Sequence, residues 1–195
     1  MKKILLVSSL FIFILIQIIN IVCNVNYKWY FIIIELLLIV LIILGIAFYS
    51  ILKYKKIVVN FNNKKYDYVI KNKIIFFPKK SEILNYYYYM KAMAYLENGE
   101  YKNFNFYVDK IDHQNLLLTK YYLKIIYSIL NKDVVGKKEY EEKYNKCSFK
   151  DIQLKNYYDK VLMLLDKNNF TTEESEFIDS INFGNIKVLV KNNKK

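Results

Sequence analysis

The chain has 195 residues, of which 54% are apolar, and its 30 basic and 18 acidic residues give a formal net charge of +12. The charge is unevenly distributed, because residues 1–52 contain only Lys2, Lys3, Lys28 and Glu35. This division excludes an ordinary soluble globular protein and an intrinsically disordered chain. With four glycines and one proline, the composition also excludes collagen-like and proline-rich proteins.

Two apolar stretches near the N-terminus are long enough to cross a bilayer. Residues 4–23 carry no charge and residues 30–52 carry one, and a transmembrane helix needs about 20 apolar residues. The connector at 24–29 is very short, so the sequence predicts an antiparallel transmembrane hairpin in residues 1–52. A cleaved signal peptide is the alternative for the first stretch, although no small-x-small cleavage site follows it.

Basic residues flank the predicted hairpin on one side of the membrane. Lys2 and Lys3 precede the first span, and the connector has only Lys28. Three lysines follow the second span: Lys53, Lys55 and Lys56. By the positive-inside rule, both termini are predicted to be cytoplasmic, in a plasma membrane of bacterial type. The three lysines are predicted to contact anionic lipid headgroups, at about 1 kcal/mol each.

Three polar residues are predicted to lie at similar depths in the hairpin: Gln17, Asn20 and Glu35. Because a carboxylate in lipid is costly, Glu35 should be protonated, hydrogen-bonded to one of the two amides, or both. One interpretation is an intramembrane proton or ion site. The others are a structural clamp between the spans and a glutamate that reaches the headgroups, and we favour these because one carboxylate makes no relay.

Residues 53–195 form one predicted cytoplasmic domain of helix pairs, so the whole chain is predicted to be all-α. Apolar residues recur there with the helical period, and breakers such as Pro78 and Gly99 interrupt the pattern. No breaker lies between Gly45 and Phe61, which predicts a continuous helix through 50–61. The predicted pairs are 50–61 with 65–77, 82–97 with 100–111, 115–130 with 137–147 and 150–166 with 172–182, followed by a short helix at 186–191. The candidate N-caps are Ser81, Ser148 with Asp151, and Thr171, which has capping-box spacing to Glu174.

The helix pairs are similar to one another. A shift of 34 residues superposes one apolar triplet on another: Tyr54, Val58 and Phe61 on Tyr88, Ala92 and Tyr95. The same i, i+4, i+7 spacing returns later in the chain at offsets of 36 and 37: Tyr140, Tyr144 and Cys147, then Phe177, Ile181 and Gly184. Such a return in helix pairs is typical of helical-repeat proteins.

Residues 92–101 carry the most specific part of this pattern. Small Ala92 is followed by Tyr95, Gly99 and Tyr101 at the spacing of a tetratricopeptide repeat, which the chain resembles over 50–147 and more weakly over 148–182. The chain departs from the family pattern at three positions: Phe104 in place of a small residue, and Lys65 and Asp67 in place of the Gly and the aromatic residue of the first copy. The third copy is predicted to have a longer turn.

The resemblance implies stacked α-hairpins that form a short right-handed solenoid and hold a partner in a concave groove. In the second pair, the residues implied to face the groove are Tyr86, Tyr89, Met93 and Leu96. Tyr and Met side chains offer large, adaptable contact area. The alternative is that some of these four side chains are core residues.

The chain has few residues of the kinds that bind metals or catalyse reactions. His113 is the only histidine, Cys147 is the only cysteine outside the predicted spans, and there is no CxxC, HExxH or phosphate-binding loop. We therefore expect no enzyme, no cofactor and no metal. Every basic residue is lysine, without the arginine forks usual in specific phosphate or base recognition, so lipid contact explains the charge better than nucleic-acid binding.

The sequence thus favours a membrane-anchored adaptor, whose helical-repeat domain binds a protein or peptide partner at the cytoplasmic face of the membrane. The alternative is an integral accessory subunit of a transport, secretion or immunity-type membrane system, in which the transmembrane hairpin is the binding element. A membrane-bound enzyme is the third interpretation.

Overall fold

The computed structural model describes residues 29–74, 77–78, 80–147 and 151–192. In these ranges the chain forms nine α-helices and no β-strand, so the prediction of an all-α fold is confirmed. The predicted first span at 4–23 lies outside the described residues. We number the helices in chain order: α1 Trp29–Asn62, α2 Tyr66–Lys71, α3 Glu82–Glu97, α4 Tyr101–Asp109, α5 Leu117–Leu130, α6 Val134–Lys146, α7 Ile152–Leu165, α8 Thr172–Ser180 and α9 Gly184–Asn192.

Helix α1 is a single helix of 34 residues, which confirms the predicted continuity through 50–61. The described residues divide into two compact units, and the division falls inside α1, between Lys53 and Tyr54. The first unit contains α1 up to Lys53, with Ile74. The second contains Tyr54–Lys73 and the described residues from Phe77 onward.

The N-terminal part of α1 is strongly apolar. The stretch Glu35–Asn62 is long and apolar enough to cross a membrane, as judged by length and composition. Its large apolar side chains are exposed, for example Leu37 at 57% and Phe48 at 63%. A core helix of a soluble protein would bury such side chains against the rest of its chain, so this exposure argues against that role for α1.

Two of the predicted helix starts have the expected caps. The hydroxyl of Ser81 accepts a hydrogen bond from the backbone N–H of Leu84 at 3.3 Å. At α8, the Thr171 hydroxyl accepts from the Glu174 N–H and the Glu174 carboxylate accepts from the Thr171 N–H, so the predicted capping box is confirmed. Each cap satisfies backbone N–H groups that the first helical turn leaves unpaired, a contribution of about 1 kcal/mol.

Two helix boundaries differ from the prediction. Helix α7 begins at Ile152 instead of 150, because the carboxylate of Asp151 is its N-cap and accepts from the Leu154 N–H at 2.9 Å. The predicted cap Ser148 lies outside the described residues. Helix α2 ends at Lys71 instead of 77, because Asn72 has extended backbone angles that cannot continue a helix.

Three helix-to-helix turns share one backbone geometry. In each, the residue two positions after the helix end has a positive φ: Lys64 at 58°, Gly99 at 74° and Lys132 at 55°. The next helix begins two residues later in all three cases. The N–H groups of the positive-φ residue and of its successor bond back to the last helical turn at 2.8–3.1 Å, as in a Schellman motif.

The three turns correct the register of the predicted repeat. They are spaced by 35 and 33 residues, so the counterpart of Gly99 in the first copy is Lys64 and not Lys65. The third turn has the same length as the others, and the prediction of a longer one was wrong. Lysine is uncommon at positive φ, so neither turn carried the glycine that would have marked it in the sequence.

Burial follows the same register in the three copies. Seven residues before each turn lies a side chain with no exposed surface: Ile57, Ala92 and Ile125. Five residues after the first two turns lie Val69 and Phe104, which are also fully buried. The bulky Phe104 thus occupies a core position that the family usually fills with a small residue.

The second and third predicted pairs form as expected, because α3 packs against α4 and α5 packs against α6. The fourth predicted pair is different. Helix α9 packs against both α7 and α8, and it also contacts α3. Ile186 and Val190 of α9 are buried in the same hydrophobic core as Met93 and Leu96 of α3.

Candidate binding site

The four residues predicted to line the groove lie on α3 and differ in exposure. Tyr86 is 43% exposed and Tyr89 is partly buried, whereas Met93 and Leu96 are each 1% exposed and belong to the core. The expectation that all four face an open groove is therefore wrong, because the C-terminal end of α3 contributes to a core that α9 completes.

Glu97, the last residue of α3, fixes the start of α9. Its carboxylate accepts hydrogen bonds from the backbone N–H groups of Gly184 at 3.0 Å and Asn185 at 3.1 Å. The Asn185 side-chain amide donates to the backbone oxygens of Leu96 at 2.5 Å and Glu97 at 3.1 Å. The positive end of the helix dipole faces this carboxylate, which stabilises the contact by about 0.3–1 kcal/mol.

A partly open cavity of about 230 Å³ lies where α3, α5 and α7 meet the C-terminal segment. None of the residues that line it carries a formal charge, and most are aromatic or aliphatic. They are Tyr89, Met93, Tyr122, Leu123, Leu154, Tyr157, Tyr158, Asn182, Phe183 and Ile186. Two of the residues predicted for the groove, Tyr89 and Met93, thus line this cavity, and Tyr86 and Leu96 do not.

Stacked tyrosines form one part of the cavity wall. The rings of Tyr122 and Tyr158 are nearly parallel, with centroids 4.0 Å apart. The Tyr158 hydroxyl is 3.1 Å from the Thr119 hydroxyl and shares a hydrogen bond with it. The Tyr122 hydroxyl is buried and has no hydrogen-bond partner in the described part of the chain, a condition that costs about 1–3 kcal/mol.

The tyrosine hydroxyls around the cavity influence one another. Burial raises the pKa of Tyr122 well above its ordinary value, and the nearby hydroxyls of Tyr157 and Tyr158 raise it further. Burial likewise raises the pKa of Tyr89, again with Tyr158 and Tyr157 as neighbours, and raises that of Tyr158 to about 12. All these phenols are neutral at physiological pH and can donate hydrogen bonds.

The other predicted site residues lie on α1 or before it. Glu35 is partly buried on α1, while its predicted partners Gln17 and Asn20 lie outside the described residues. The Lys53 Nζ atom lies 5.9 Å from the centroid of the Tyr49 ring. Lys55 and Lys56 are exposed to solvent, where they could contact lipid headgroups.

Metal-binding and nucleophilic groups are sparse in the described ranges. No group of three or more His, Cys, Asp or Glu side chains there could hold a metal ion. The imidazole of His113 accepts from the Asn115 N–H at 3.4 Å as a local cap. Burial raises the pKa of the Cys147 thiol, which lowers its thiolate fraction and hence its reactivity.

Sequence reasoning missed Tyr122, Tyr157 and Tyr158 as cavity residues. A signal was available, because Tyr89 and Tyr122 both lie ten residues before a positive-φ turn, and so does Tyr54. Recognising it required the offsets of 35 and 33 residues, which differ from the offset of 34 that the apolar triplets indicated.

No family model, curated protein or solved structure matches this chain. The tetratricopeptide-type resemblance therefore stays a prediction. What the chain binds is inferred below from its own geometry.

Proposed function

We propose that this chain is a membrane-anchored helical-repeat adaptor that binds a protein or peptide partner at the cytoplasmic face of the membrane. The observation that carries the proposal is the threefold return of one turn geometry, with a fully buried residue seven positions before each turn. Stacked helix pairs of this kind present extended surfaces that commonly bind other proteins.

The proposal includes a tetratricopeptide-like arrangement of the helix pairs. Two features support it: the fully buried small Ala92 and the positive φ of Gly99, both at positions where the family pattern places a small residue and a turn glycine. Tyr86, on the first helix of the second pair, is exposed and available to a partner. The departures are the buried Phe104 and the involvement of α9 in the core.

The proposed anchor is a two-span hairpin with both termini in the cytoplasm. The apolar length of α1 supports a membrane-crossing second span. The lysines at 53, 55 and 56 follow that stretch at the end that the positive-inside rule assigns to the cytoplasm. Lipid headgroups would be the second partner of the chain, through these lysines.

Site-specific photo-crosslinking of the full chain in native membranes tests the partner site. A photoreactive residue in place of Tyr86, on α3, should give a discrete protein adduct. The matched control is the same residue in place of Tyr101, which is 37% exposed on α4. Equal adducts from both positions, or none from either, would contradict a site on the first helices.

Exchange of residues 1–52 for an unrelated transmembrane hairpin separates the two membrane interpretations. An adaptor should keep the Tyr86 adduct after the exchange, because its binding surface lies outside the spans. Loss of the adduct with unchanged membrane insertion would instead favour the accessory subunit, in which the hairpin itself binds the partner.

A further inference from the structure

The cavity beside Tyr122 has a size that restricts what it can hold. Its volume of about 230 Å³ exceeds the roughly 150 Å³ of an engineered cavity that binds benzene. It is smaller than the pockets of about 300–1,000 Å³ that take drug-sized ligands. A single substituted aromatic ring fits between these limits, whereas a helix or a nucleotide is too large.

The lining of the cavity selects against charged ligands. Its walls combine tyrosine rings with Met93, Leu123, Leu154, Phe183 and Ile186. A charged group would lose its hydration there without gaining an ionic partner. A neutral aromatic ring would gain contact with the surrounding rings, at about 0.5–1.5 kcal/mol for each well-oriented pair.

The Tyr122 hydroxyl adds a polar requirement. Tyr122 is 2% exposed and lines the cavity, and its hydroxyl has no hydrogen-bond partner among the described residues. The neighbouring Tyr158 hydroxyl already bonds Thr119. A ligand with one polar atom on its ring would therefore complete the bonding of Tyr122.

We infer that the cavity binds one neutral aromatic side chain with a polar ring atom, tyrosine or tryptophan, presented by the partner protein. This inference rests on the proposed adaptor function, because a partner must present the side chain. The same ring chemistry could also come from a free phenol, and the experiment below distinguishes the two sources.

Binding of p-cresol and toluene to the full chain in detergent tests the chemistry, because the two probes differ only by the phenol hydroxyl. Titration calorimetry should show p-cresol binding about tenfold more tightly than toluene, the ratio expected for one buried hydrogen bond of roughly 1.4 kcal/mol. Tyr122→Phe should remove this ratio and retain toluene binding. The ring and its stack on Tyr158 stay in that variant, so the fold should be retained, which circular dichroism checks.

The control variant for this titration is Tyr101→Phe, which removes an exposed hydroxyl on α4 and should leave the ratio unchanged. Three results would overturn the inference. They are equal affinity for the two probes in the native chain, a ratio that persists in Tyr122→Phe, and no binding of either probe.

Competition separates the fate of this inference from that of the adaptor function. Excess p-cresol should reduce the Tyr86 adduct in native membranes, and should fail to do so in Tyr122→Phe. A Tyr86 adduct that p-cresol does not reduce would leave the adaptor function standing and overturn the partner side chain as occupant. If p-cresol binds as expected but the Tyr86 adduct never forms, the adaptor function fails, and the cavity is a site for a free phenol.

Discussion

Lys91 shows how a single residue can be costly and useful at once. It is 1% exposed on α3, and its Nζ atom donates a hydrogen bond to the backbone oxygen of Ile70 in the last turn of α2. Its Nζ atom also lies 5.6 Å from the ring centroid of Tyr87 and 5.8 Å from that of Tyr107. Burial, with a smaller effect of nearby Lys73, lowers its pKa to about 8. The charge suits the negative end of the α2 dipole, but it loses its hydration.

This lowered pKa predicts a domain that gains stability as the pH rises above about 8. Between pH 8 and the ordinary lysine pKa of 10.5, the folded state has released the Lys91 proton and the unfolded state retains it. The unfolded state then binds more protons, so the free energy of unfolding increases with pH, by at most about 1.4 kcal/mol per unit. Below pH 8 both states are protonated, and Lys91 adds no slope.

Thermal melting of the full chain in detergent, from about pH 7 to pH 9.5, measures this effect. The range ends below the pKa of unfolded tyrosines, near 10. The reference variant is Lys91→Met, which keeps an unbranched side chain without the titrating group. The melting temperature of the native chain should rise relative to that of the variant across the range. Parallel curves would mean that Lys91 keeps an ordinary pKa in the folded state.

At the scale of helices, local patterns predicted the fold well where the signal is local. The apolar period and the caps at Ser81 and Thr171 gave helix starts that the structure confirms. The turn register was missed because Lys64 and Lys132 adopt positive φ without a glycine. The role of α9 was missed because Glu97 and Gly184 lie 87 residues apart in the chain, and no sequence period links them.

The Glu97 carboxylate predicts how firmly α9 is held. Glu97→Gln keeps the shape of the side chain and removes its charge, so the interaction with the α9 dipole should weaken by about 1 kcal/mol. Opening of α9 should then become about fivefold more frequent, which hydrogen exchange of the 184–192 backbone amides in the full chain would measure. Glu142→Gln, an exposed change on α6, is the matched control. Unchanged exchange in the Glu97 variant would show that apolar packing of Ile186 and Val190 alone holds α9.

At the scale of the whole molecule, composition and tertiary packing contributed different parts of the picture. The absence of charge across 30–52, apart from Glu35, was enough to predict an apolar helix, and α1 is such a helix. The cavity could not be predicted in the same way, because its walls come from three helices and the C-terminal segment. Its tyrosines have the same sequence signature as any core aromatic residue, and only their relative positions reveal the unpaired Tyr122 hydroxyl.

The membrane assignment predicts both retention and orientation. Full-length protein should stay in the membrane fraction after an alkaline carbonate wash, and a C-terminal tag should be cut by protease in inverted vesicles but not in intact cells. Replacing Lys53, Lys55 and Lys56 together by Gln should make a fraction of the chains insert with reversed or mixed orientation, because the loops flanking the spans then lose most of their charge bias. The matched control replaces three exposed lysines far from the spans: Lys102, Lys132 and Lys138. Release by carbonate, or cleavage of the native tag from outside intact cells, would contradict the anchor and its orientation respectively.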